Sequence, residues 1–67
     1  MIDYKNVATG DILLWHPKGD EPKYHLMLEI IFSTREEAEW LALCLNSGQT
    51  EEVSVNTSNN INWSRIA

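Results

Sequence analysis

The sequence predicts an all-β domain, a small barrel of about five strands. Three observations lead there. Apolar residues recur at period two in the longest hydrophobic segments. Turn-forming clusters separate those segments at short intervals. The chain has 67 residues, enough for one domain, 1–67, and no more.

Each element has its own signal. Thr9-Gly10-Asp11 is a turn, and "ILLWH" after it is apolar and stopped by a proline, so Asp11 to His16 reads as the first strand. "PKGDEP" is a loop. "KYHLMLEIIF" is the clearest strand, with Tyr24, Leu26, Leu28 and Ile30 on one face and His25, Met27, Glu29 and Ile31 on the other. "TEEVSVN" alternates Val53 and Val55 against Glu52 and Ser54. "TSNN" is a turn cluster, and "INWSRIA" closes the chain as a short strand.

The stretch "STREEAEWLALCLNSGQ", residues 33 to 49, supports two readings. Ser33 with Glu36 and Thr34 with Glu37 fit capping boxes, and Ala38, Leu41, Ala42 and Leu45 form a helical stripe. That reading gives an α+β domain, with one helix over 34–46 packed on a four-stranded antiparallel sheet. It leaves Trp40, Leu43 and Cys44 off the stripe. The strand reading starts from Asn46-Ser47-Gly48 as a three-residue hairpin loop with a left-handed glycine. It sets Leu45 opposite Gln49, Leu43 opposite Glu51 and Leu41 opposite Val53. Leu41, Leu43, Val53 and Val55 then face the core, with Trp40, Ala42 and Cys44 on the other side. A helical turn at Thr34 to Glu37 leading into the strand accommodates both signals. The strand reading is preferred, and it gives a barrel that is closed or nearly so, which removes exposed edges.

"TGDILLWH", "YHLMLEI", "WLALCLNSGQTEEVSV" and the terminal "NWSRI" together resemble the small SH3-like barrels encoded by tailed bacteriophages. The likeness covers about residues 9 to 66, and the "STREEAE" insert departs from the pattern. It implies the fold and a viral setting more than an activity. In SH3-like barrels an aromatic groove binds proline-rich peptides. Trp15, Tyr24 and Trp63 are the residues here that such a groove would use.

Composition excludes several functions. Ten acids against five bases give a net charge of −5, which disfavours nucleic acid as a partner. "WLALCL", the longest apolar run, is too short to span a bilayer, so no membrane role is expected. "MIDYKNVATG" has no signal-peptide pattern. A single cysteine, Cys44, fits a reducing compartment, and the expected location is cytoplasmic, in a bacterial host cell if the protein is viral. Without secretion, the glycosylation acceptor patterns at Asn56 and Asn62 are incidental.

No residue pattern marks catalysis. His16, His25 and Cys44 are the candidates for a soft metal site or an enzyme, but they lack the short paired spacing of zinc ligands. The expectation is no enzyme, no cofactor and no metal. The acids are more suggestive. Glu36, Glu37, Glu39 and Glu51 are expected at one end of the barrel, with Trp40 as an exposed anchor beside them, a composition suited to protein recognition. The expected function is a non-catalytic interaction module, a phage accessory protein that binds and modulates a host protein. Homo-oligomeric self-assembly is the alternative.

Overall fold

The computed structural model describes residues 2–67. The domain is all-β. Five strands, β1 (Ile12–Trp15), β2 (Lys23–Ser33), β3 (Glu37–Cys44), β4 (Gln49–Asn56) and β5 (Trp63–Arg65), form one antiparallel sheet in the order β4-β3-β2-β1-β5. The only helical pieces among the described residues are single 3-10 turns at Tyr4–Asn6 and Asn60–Asn62. No helix is long and apolar enough to cross a membrane. The five strands expected from sequence are all present, but the barrel does not close: β4 and β5 are the sheet's two edges and do not pair.

Residues 34–46 are turn and strand, not helix. The capping signal is spent locally. The Thr34 hydroxyl accepts hydrogen bonds from the Glu36 and Glu37 amides, both at 3.2 Å, and the Thr34 amide donates to the Glu37 carbonyl at 2.7 Å. Arg35 and Glu36 thus form the tip of the β2–β3 hairpin rather than a first helical turn. Along β3 burial then alternates at every residue, with Ala38, Trp40, Ala42 and Cys44 inside.

The register differs from the sequence expectation by one residue, and this reverses the faces. Cys44 pairs with Gln49, Ala42 with Glu51, Trp40 with Val53 and Ala38 with Val55. The β3–β4 loop holds four residues, 45 to 48, closed by a Gly48 amide to Cys44 carbonyl bond of 2.8 Å with Gly48 at φ +76°. Leu41 and Leu43 therefore lie on the outer face. The physical reason is parity. β3 begins at Glu37, so a register burying Leu41 and Leu43 also buries the carboxylates of Glu37 and Glu39. The observed register buries a tryptophan between two alanines instead.

The core lies on the concave face. Leu13, Met27, Ala38, Trp40, Ala42, Val55 and Trp63 are buried there, capped by Ile2, Tyr4 and Val7 of the N-terminal segment. Tyr4 fastens that segment by donating its hydroxyl to the Arg35 carbonyl, and the Ile2 amide donates to the Asn60 carbonyl at 3.1 Å. In β2 the buried residues are His25 and Met27, and register shifts at Met27/Glu29 and Ile30/Phe32 bend the strand around the core. The "TSNN" turn is built on Asn56 and Asn59. The Asn56 side-chain oxygen accepts from the Ser58 and Asn59 amides, and the Asn59 oxygen accepts from the Asn56 amide.

Candidate functional site: an outer acidic-aliphatic face and a concave cleft

The outer face follows from the pairing. Leu26 sits opposite Leu43, Glu29 opposite Leu41, Leu41 opposite Glu52, and Phe32 opposite Glu39. Three half-buried leucines thus form a central stripe, with Glu29, Glu37, Glu39 and Glu52 beside it. No second layer covers it among the described residues. The strands contain only two basic residues, and both are in register with the other face: Lys23 pairs with Trp15 and Arg65 with Leu13. The Arg65–Asp11 ion pair and the His25–Glu51 contact are also off this face.

Among the described residues these outer acids have no cationic partner. Partial burial pushes the Glu39 carboxyl above its ordinary value, helped by the charge of Glu52, a hydrogen bond with it, and the charge of Glu37. Glu37 is held in place by the Ser54 hydroxyl, which donates to it at 3.2 Å.

On the concave side, a cleft of about 330 Å³ opens between the two edge strands. Val53 and Glu51 of β4 line one wall, and Trp15 and Trp63 line the other, with ring centroids 4.7 Å apart. His25 is buried in its floor. Its Nε2 lies 2.8 Å from Glu51 Oε1, and its ring meets Trp63 edge-on at 5.3 Å. Cys44 pairs directly with His25 across the strands. Hydrogen bonds from the Ser47 side chain and from the Ser47 and Asn46 backbone outweigh burial and lower the thiol's pKa.

These geometries sort the residues expected from sequence. Glu37 and Glu39 share the outer face, and Glu36 sits at the adjoining hairpin tip. Glu51 does not join them: it lies on the concave face, opposite Ala42, whereas Glu37 lies opposite Asn56 near the far end of β4. Trp40 is 3% exposed, so it is core and not an exposed anchor. Trp15 and Trp63 line one cleft, while Tyr24 pairs with Leu14 on the outer face. His16 is separate from His25 and Cys44, its Nε2 meeting the Ser64 hydroxyl at 2.8 Å. Glu51 takes its place beside them. The residues missed were Glu29 and Glu52 and the leucines themselves. The alternation of Glu37, Glu39, Leu41 and Leu43 on one parity held the signal.

Comparison of the chain with protein-family models, curated proteins and solved structures finds no match.

Proposed function

We propose that this protein is a non-catalytic interaction module whose outer sheet face docks a basic segment of a partner protein. The observation that carries this reading is the outer face itself, where Leu26 lies opposite Leu43, Leu41 lies between Glu29 and Glu52, and Glu39 shares the face. An antiparallel sheet with one free face ordinarily presents polar residues there. Leucines on that face form an apolar patch of the kind that marks interaction sites. The like charges beside it raise the free energy of the isolated fold. A partner carrying lysine or arginine around an apolar side chain relieves both costs at once, and the field speeds its approach. The resemblance to phage barrels adds the expectation that the partner is a bacterial host protein.

A photo-reactive amino acid at Leu41 tests this directly. It crosslinks the partner, whereas the same group at Lys18, in the loop after β1, does not. Equal crosslinking from both positions would remove the outer face as the docking surface.

A second reading, self-assembly, is favoured by β2. β1 pairs only with Lys23 to Leu26, so the later half of β2 has one edge without a strand partner among the described residues, and Ile30, Ile31 and Phe32 are each more than two-fifths exposed. Sedimentation decides it: a concentration-dependent dimer lost in Ile31→Lys supports this reading, and a monomer at all concentrations rules it out.

A further inference from the structure

His25, Cys44 and Glu51 form a second constellation, on the face opposite the docking surface. We infer that these three residues bind a divalent cation of the zinc class, with a fourth coordination position open to the cleft.

The geometry comes first. One donor atom from each residue lies within 4.8 Å of the other two. Tetrahedral zinc, with bonds of about 2.0–2.3 Å, needs its ligand atoms about 3.3–3.7 Å apart. The His25–Glu51 separation of 2.8 Å has to widen by about an ångström or less, and the sulfur already lies within 4.8 Å of both partners. The three residues come from three neighbouring strands. His25 and Cys44 are direct cross-strand partners, and Glu51, opposite Ala42, is two residue pairs along the β3–β4 ladder from Cys44. Glu51 is about half exposed, and its swing opens the way in from the cleft.

The donor chemistry is consistent. Imidazole, thiolate and carboxylate together suit zinc rather than magnesium or calcium, which prefer oxygen alone. One thiolate and one carboxylate cancel the two positive charges, so the occupied site is neutral, as a largely buried site requires. His25 is 2% exposed and its Nε2, the nitrogen that would ligate, already faces Glu51. On binding, the S–H bond breaks, its proton passes to solvent and an S–metal bond forms; no electron is transferred.

Cobalt(II) is the probe, added to the reduced full-length protein. The expected result is one equivalent bound, with the thiolate-to-cobalt charge-transfer band and the intense visible bands of a tetrahedral site, and displacement by zinc. Cys44→Ser abolishes the charge-transfer band. Glu51→Gln, a conservative change at a half-exposed position, weakens binding by about tenfold or more. His16→Ala, away from the cluster, leaves binding unchanged. Amide spectra of each variant confirm the fold. A folded wild-type protein that gives no charge-transfer band at excess cobalt overturns the inference, as does a band of undiminished affinity in Glu51→Gln.

Discussion

Glu39 and Glu52 lie on the same face of adjacent strands, and partial burial together with the acidic neighbours Glu52 and Glu37 holds the Glu39 carboxyl above its ordinary value. A carboxyl whose pKa is raised by folding binds its proton more tightly in the native state. Its contribution to stability is full below the unfolded value and is lost as pH rises through the raised native value. Glu39→Gln therefore raises the melting temperature at pH 7. It also flattens the decline in stability between mildly acidic and neutral pH. Thermal unfolding of both proteins across that range checks this, and an unchanged or lower melting temperature for Glu39→Gln at pH 7 contradicts it.

Salt acts on the same face. Added sodium chloride screens the mutual repulsion of Glu37, Glu39 and Glu52. It stabilises the wild-type protein more than Glu39→Gln/Glu52→Gln, and chemical denaturation at low and high salt measures the difference. Equal salt responses in the two proteins would mean that the outer acids do not repel one another appreciably.

The inverted register makes a sharp comparison between two residues three apart. Trp40 is 3% exposed and Leu43 only partly buried. Trp40→Ala removes about 3–5 kcal/mol, close to the whole stability of a domain this small, and leaves little folded protein. Leu43→Ala costs under about 2 kcal/mol by area lost from water, and the protein still folds. Urea titrations read both. A larger loss for Leu43→Ala would restore the leucine-inward register and refute the one described.

Gly48 tests the turn that sets that register. It closes the four-residue loop at φ +76°, and a Cβ there meets no neighbour within 4 Å. The cost of Gly48→Ala is therefore conformational, about 1 kcal/mol. Gly48→Asn, which tolerates the left-handed region better, costs less. Equal costs for the two substitutions would be evidence against a left-handed residue at this position.

Much of the fold was legible because it depends on short-range signals. The turns at Thr9-Gly10-Asp11 and Asn46-Ser47-Gly48, and the alternation through Tyr24 to Ile30, place strands without knowledge of tertiary contacts. The helix signal at Ser33 to Glu37 was genuine local chemistry, since the Thr34 hydroxyl does take two amides, but a hairpin tip uses it as readily as a helix. The inner and outer faces were harder to read. One residue in a loop decides them, and both faces of 40–45 are apolar. The start of β3 at Glu37 resolves the choice, because burying its parity buries two carboxylates. Closure of the barrel depends on whether β4 and β5 meet, and no local pattern reports that. The grouping of His25 with Cys44 and Glu51 depends on register as well, so spacing along the chain concealed it.

Docking on the outer face is the central claim, and a matched pair of charge removals tests it most directly. Glu39→Gln/Glu52→Gln removes two charges from that face and strengthens the fold. Asp20→Asn/Glu21→Gln removes two from the exposed loop between β1 and β2. Both are compared with the wild-type protein for capture of bacterial proteins at near-equal stoichiometry. The docking account expects the loop variant to retain the partner that the wild-type protein captures and the outer-face variant to lose it despite its greater stability. Retention by the outer-face variant, or equal loss from both, would contradict it.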